Sequence, residues 1–158
     1  MANLHLSYLE LLRDLSASLD RLGQLAQEKR SVVQQNDLIG LDEVLKQEQA
    51  MTLNLRGLEQ RRLKLLAQMG LSNVPLSELP VKYPAELEQE ARQTVAGLQQ
   101  SYSAYRSYAD AARSTLELNI HQIEKVIAAA GVDPKLAAAG YESPGVEPPK
   151  TMKTDFRA

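Results

Sequence analysis

The chain has 158 residues and a formal charge of −2, and it is rich in Leu, Ala, Gln and Glu, which favour helices. It contains no cysteine, which excludes a disulfide framework and thiolate metal sites. Its 18 basic and 20 acidic residues nearly balance, which argues against nucleic-acid binding because phosphates require a concentrated basic surface.

Neither a membrane span nor a secretory signal is visible in the sequence. No stretch approaches the roughly 18 consecutive apolar residues of a span, and the first residues lack a charged region followed by an apolar core. We therefore expect a cytoplasmic protein without membrane insertion.

Two amphipathic segments follow each other at the start of the chain. In the first, leucines and one tyrosine recur at steps of three and four, with Ser18 as a polar member, which predicts a helix over about residues 3–35. The cap-type residues Asn36 and Asp37 then interrupt the pattern. A second apolar series, with Arg62 as its polar member, predicts a helix over about residues 38–69 that ends at Gly70. The short break predicts an antiparallel helical hairpin.

The stretch "LSNVPLSELPVKYP" contains three prolines, so a long helix cannot cross it. We interpret it as a connector whose apolar residues pin it across the end of the bundle, or in which "LSEL" forms a helical turn.

The strongest periodic signal predicts a third helix over about residues 84–130. Its apolar positions, all separated by three or four residues, are Leu87, Ala91, Val95, Leu98, Tyr102, Tyr105, Ala109, Ala112, Leu116, Ile120, Ile123, Ile127 and Ala130. Gly131 and Pro134 end the pattern, and four of the seven prolines lie beyond it.

The predicted fold is therefore all-α. Three long antiparallel helices, a helical hairpin plus a third helix, form a coiled-coil-like bundle domain over residues 1–131. Residues 132–158 are predicted to be a flexible C-terminal tail.

Three of the six tyrosines lie in the third helix. Tyr102 and Tyr105 share its apolar arc and are expected to be partly buried. Tyr108 lies on a flank, where it either covers the seam or meets a partner. A weaker stripe on the opposite face, with Ala104, Ala111 and Leu118, is a candidate for an additional partner surface with Tyr108, or consists of alanines that merely favour the helix. A homodimer that buries this stripe is also compatible with the sequence.

No catalytic constellation is present in the sequence. Glu117 and His121 lie one turn apart, but the repeated Glu-x-x-His motifs of a di-metal bundle are missing. There is no phosphate-binding loop and no nucleophile elbow. We predict a binding protein rather than an enzyme, without cofactor or metal.

The layout resembles the FlgN-type flagellar export chaperones. The resemblance covers Leu4 to Gly145 and is carried by the break "NDLIGLDEVLKQEQ", the proline-bearing connector, the helix segment "LELNIHQIEKVI" and the tail segment "GYESPG".

The resemblance implies a chaperone for the hook–filament junction proteins, FlgK and FlgL, which prevents their premature assembly and hands them to the flagellar export apparatus. It implies that the end of the third helix and the tail bind the C-terminal helical region of the client. The implied client-binding residues are Asn119, Ile120, Ile123, Ile127, Tyr141 and Gly145, and we add Leu116 of the same apolar series.

An alternative of a different class is a self-associating coiled-coil scaffold or adaptor. Interruption of the seams by Ser18 and Arg62 favours a closed bundle over such a scaffold.

Overall fold

The computed structural model describes residues 2–131, which form helices joined by short turns and include no strand. The elements are α1 (Ala2–Gln34), α2 (Leu38–Gln68), a 3-10 helix (Leu76–Lys82) and α3 (Ala85–Ala129). The three predicted long helices are confirmed, each end within one residue of its predicted place. The predicted count of three helices is wrong, because the connector forms a further short helix. The predicted tail, residues 132–158, lies outside the described residues.

A tight turn closes the hairpin between α1 and α2. Asn36 adopts the left-handed backbone conformation, with φ 56°, that asparagine tolerates better than most residues. The Asp37 carboxylate then caps α2 by accepting a hydrogen bond from the Gly40 N–H at 2.9 Å. A Cβ atom on Gly40 would lie 2.5 Å from Asp37 Oδ2, so the glycine makes room for the cap.

The connector crosses the end of the bundle as the pattern predicted. Proline restricts continuous α-helix here, and the chain instead forms a seven-residue 3-10 helix that contains Pro80. Leu76 and Leu79 are buried in the core. The Tyr83 hydroxyl donates to the backbone oxygen of His5 at 3.0 Å, which ties the start of α3 to the start of α1.

Helix α1 packs antiparallel to α2. Arg62 Nη1 contacts the Tyr8 hydroxyl at 3.3 Å near one end, and Lys29 Nζ lies 2.9 Å from Glu48 Oε1 nearer the other. Both polar residues of the predicted apolar series, Ser18 and Arg62, are buried. Ser18 accepts a hydrogen bond from Asn54 Nδ2 at 3.1 Å, so polar partners occupy these positions of the interface.

Arg62 forms a buried ion pair with Glu59 of the same helix. Its Nη2 and Nε atoms lie 2.7 and 2.9 Å from the two carboxylate oxygens. Burial acts to lower the pKa of Arg62, but the hydrogen bond to Glu59 and the neighbouring Tyr8 outweigh it and raise the pKa above its ordinary value. A fixed charge therefore sits between α1 and α2.

Helix α3 runs parallel to α1. Arg13 pairs with Glu90 at 2.6 Å, and Arg30 Nε donates to Thr115 Oγ1 at 3.0 Å. Residue numbers therefore increase in the same direction along both helices. Helices α2 and α3 make little direct contact with each other. The predicted antiparallel order thus holds between successive helices, but the main packing partner of α3 is the parallel α1.

The core surrounds α1, which is covered by α2 on one side and α3 on the other. Its ten largest fully buried side chains are Tyr8, Leu9, Leu11, Leu12, Leu15, Leu19, Leu25, Leu55, Leu79 and Leu98. Seven of these ten belong to α1, which makes it the central helix of the bundle.

Candidate binding surface

Helix α3 extends beyond the end of α1. Arg30 and Thr115 stand at the same level, because their side chains are hydrogen-bonded. From there α1 continues only four residues to Gln34, whereas α3 continues fourteen residues to Ala129. At about 1.5 Å per residue, α3 projects roughly 15 Å past α1. We call residues 116–129 the overhang, of which residues 116–119 lie level with the end of α1 and residues 120–129 project beyond it.

Burial along α3 changes where the overhang begins. The apolar seam is buried at Ala91, Val95, Leu98, Tyr102 and Ala112. Of the residues described after Ala112, none is buried, although the apolar spacing continues unchanged. The apolar seam therefore extends further along α3 than the packing that buries it in the bundle.

Four large apolar side chains form one face of the overhang. At about 100° per residue, Leu116, Ile120, Ile123 and Ile127 fall within an arc of roughly 60°. All four are half-buried. A face of this width and spacing has the form that receives an apolar helix in helix-in-groove recognition.

Asn119 and Val126 lie along one edge of this face. Asn119 is half-buried and Val126 is 69% exposed. The predicted site did not include Val126. Val126 could have been found from the sequence, because it follows Ile123 by three residues and so widens the apolar face on this side.

The helix brings together five of the predicted client-binding residues: Leu116, Asn119, Ile120, Ile123 and Ile127. The other two, Tyr141 and Gly145, lie outside the described residues.

The four residues of the predicted additional surface have different environments. Leu118 is 58% exposed on the overhang, away from the apolar face. Ala104 is exposed along a shallow groove between α1 and α3, and Ala111 is half-buried. Tyr108 contacts α1, where a Cβ atom on Gly23 would lie 3.1 Å from its Cδ2 atom.

The clustered tyrosines attach α3 to the rest of the bundle. Tyr105 is half-buried, as the pattern predicted, whereas Tyr102 is more deeply buried than predicted. Burial raises the pKa of Tyr105, and the nearby Glu48 carboxylate of α2 raises it further. Tyr108 remains 41% exposed while its ring contacts α1.

Two further apolar side chains are exposed at the hairpin tip, close in sequence to the end of α1. Leu38 and Ile39 begin α2 directly after the turn and are 62% and 87% exposed. Sequence reasoning used this region only for its cap residues. The sequence does show two adjacent apolar residues at the predicted start of a helix, and the periodic pattern does not assign this pair to the core.

The groove between α1 and α3 has a volume of about 710 Å³ and is crossed by the Arg13–Glu90 ion pair. Its other lining side chains are small or polar, among them Ser16, Thr94 and Ser101. Across residues 2–131 there is no group of three His, Cys, Asp or Glu side chains placed to hold a metal ion. Within that same range no helix is long and apolar enough to cross a membrane.

A model of the FlgN protein family matches residues 5–148, which is most of the chain and includes the overhang. The chain belongs to the FlgN family. FlgN proteins are chaperones of flagellar export and assembly, and they are not an enzyme family. Searches among curated proteins and among solved structures returned no match.

Proposed function

We propose that this FlgN-family chaperone acts in the cytoplasm and binds the C-terminal helical region of the hook–filament junction proteins FlgK and FlgL. By covering that region it prevents premature assembly until the client reaches the flagellar export apparatus. The observation that carries the proposal is the apolar face of the overhang, whose four large side chains continue a buried seam beyond the bundle.

The overhang suits a partner that is itself an amphipathic helix. A client helix laid along α3 would bury the exposed parts of Ile120, Ile123 and Ile127 and replace the cover that α1 provides nearer the bundle. Full burial of such a side chain contributes about 1.5–3 kcal/mol, and half-buried ones contribute less. A few anchors of this kind support binding that remains reversible, as export requires.

The proposed site includes Tyr141 and Gly145, because the family match extends to residue 148. Tyr141 would supply an aromatic anchor on the client.

The test is isothermal titration of the full-length protein with the C-terminal helical segment of a hook–filament junction protein. The variant Ile123→Asp/Ile127→Asp should lose binding by at least about a hundredfold, because two charges would be buried against the client. The matched control is Leu53→Asp/Leu63→Asp, which places the same charges at exposed apolar positions of α2. Equal affinity of all three folded proteins would contradict the proposed site.

Tyr141→Ala tests the part of the site that follows α3. The proposal predicts weaker binding of the same segment, by about tenfold for an aromatic anchor of moderate strength. Unchanged affinity would confine the site to the helix.

A self-associating coiled-coil scaffold is the second candidate, and the observation that favours it is the 58% exposure of Leu118. In this case a second copy would cover Leu118, with Ala104, Tyr108 and Ala111 along the same helix. Sedimentation should then show a homodimer that Leu118→Asp dissociates. A monomeric wild type that binds the client segment would exclude the scaffold.

A further inference from the structure

One edge of the overhang carries two glutamates. Glu117 and Glu124 are both exposed and lie seven residues apart, so they project from the same side of α3. Each lies three residues before an isoleucine of the apolar face, Ile120 and Ile127. In heptad terms the isoleucines occupy core positions and the glutamates occupy the flanking e positions.

The opposite edge of the apolar face has no charge. Its equivalent flanking positions are occupied by Asn119 and Val126. The overhang is thus asymmetric, with carboxylates along one edge and neutral side chains along the other.

These carboxylates differ from four glutamates that help to hold the bundle together. Glu48, Glu59, Glu88 and Glu90 all pair with lysine or arginine at 2.6–2.9 Å. Within residues 2–131, the structure records no salt bridge for Glu117 or Glu124.

The basic residues nearest in sequence do not neutralise this edge. Arg113 precedes Glu117 by one turn, but no salt bridge joins them in the described part of the chain. Lys125 projects from the opposite side of the helix, about 170° from the centre of the apolar face. Among residues 2–131, no recorded salt bridge therefore neutralises the carboxylates beside Ile120 and Ile127.

We infer that the client helix carries lysine or arginine residues beside its apolar stripe, about seven residues apart, and that Glu117 and Glu124 select it through these charges. This inference rests on the proposed function and adds the chemistry of the partner. In helix pairs, residues at the flanking positions set partner choice and orientation. Exposed ion pairs add little affinity, so the glutamates act mainly by discriminating between partners and by accelerating encounter.

The test uses two designed amphipathic peptides of about three heptads with the same Leu/Ile stripe, one with lysine and one with glutamate at the flanking positions. Titrated against the full-length protein at low salt, the lysine peptide should bind about tenfold more tightly than the glutamate peptide. This preference should shrink as added salt screens the charges.

Charge reversal assigns the preference to the two glutamates. Glu117→Lys/Glu124→Lys should invert the preference, because like charges would then oppose the lysine peptide. Glu10→Lys/Asp14→Lys changes the net charge equally at exposed positions of α1 and should leave the preference intact. Circular dichroism checks that each variant remains helical.

The outcomes separate this inference from the proposed function. Equal binding of both peptides, or a preference that survives the Glu117→Lys/Glu124→Lys reversal, would overturn the inference and leave the apolar site standing. Binding of neither peptide would overturn both. A homodimer that only the Glu117→Lys/Glu124→Lys variant dissociates would also overturn the inference, since the edge would then belong to a second copy.

Discussion

Gly23 of α1 and Tyr108 of α3 lie in direct contact, since a Cβ atom on Gly23 would be 3.1 Å from Tyr108 Cδ2 and 3.8 Å from the Cα atom of Tyr105. The glycine allows the two helices to approach closely just before α3 leaves the bundle. The contact therefore helps to fix the direction in which the overhang projects.

Gly23→Ala should stabilise the protein less than a glycine-to-alanine change elsewhere in the helices, or destabilise it. In a helix interior, alanine gains about 0.5–1 kcal/mol over glycine. At Gly23 the methyl group would press on the Tyr108 ring, whereas a Cβ atom on Gly57 meets nothing within 4 Å. Urea unfolding of Gly23→Ala and Gly57→Ala measures the difference, and equal stabilisation would contradict close packing at Gly23.

Glu59→Ala should destabilise the protein by about 3–5 kcal/mol, because it leaves the charge of Arg62 buried without its carboxylate. Glu59→Leu/Arg62→Met, which removes both charges, should cost less than Glu59→Ala alone. Asp42→Ala breaks the exposed pair with Lys46 and should change stability by less than about 1 kcal/mol. The measurement is again the free energy of unfolding in urea, and similar losses for Glu59→Ala and Asp42→Ala would contradict it.

Stability should fall at alkaline pH. Burial raises the pKa of Tyr83 and of Tyr105 above the ordinary value of 10.0, with smaller contributions from Tyr8 and Glu48 respectively. Folding thus favours the neutral phenols, so their contribution is fully present below pH 10 and is lost as the pH rises through the raised folded-state pKa.

Urea unfolding between pH 8 and 11 checks this pH dependence. Tyr105→Phe should flatten the alkaline decline, and Tyr83→Phe should do the same while losing about 1 kcal/mol at neutral pH with the hydrogen bond to His5. A decline of unchanged steepness in both variants would assign it to other groups.

Alanine substitutions along the apolar seam of α3 should destabilise the protein to different extents, according to where they lie on the helix. Leu98 is fully buried, and Leu98→Ala should cost about 2–5 kcal/mol. Ile127 is half-buried on the overhang, so Ile127→Ala should cost less than about 1.5 kcal/mol while weakening client binding. Chemical unfolding of both variants separates core from site, and equal losses would show that Ile127 belongs to the core.

Periodicity was sufficient to predict where the long helices lie. Steps of three and four residues define one apolar face, and Asn36, Gly70 and Gly131 interrupt them where the helices end. The same pattern does not identify which helix covers that face. The parallel packing of α3 on α1 depends on contacts between distant residues, such as Arg13 with Glu90, which spacing alone does not reveal.

The candidate site was partly predictable for the same reason. Five of its residues follow from the apolar spacing of α3, but the spacing is identical where the helix is buried and where it projects. The boundary after Ala112 depends on the length of α1 relative to α3. Likewise, Arg62 interrupts an apolar series in the sequence, and only the fold shows that Glu59 and Tyr8 are there to bind it.

Hydrogen–deuterium exchange of the full-length protein, with and without the C-terminal helical segment of a hook–filament junction protein, locates the surface that the client covers. If the client helix lies on the overhang, amide protection should increase mainly in residues 120–129, where α1 no longer runs beside α3. Protection that instead increases along the groove between α1 and α3, with the overhang unchanged, would contradict the account.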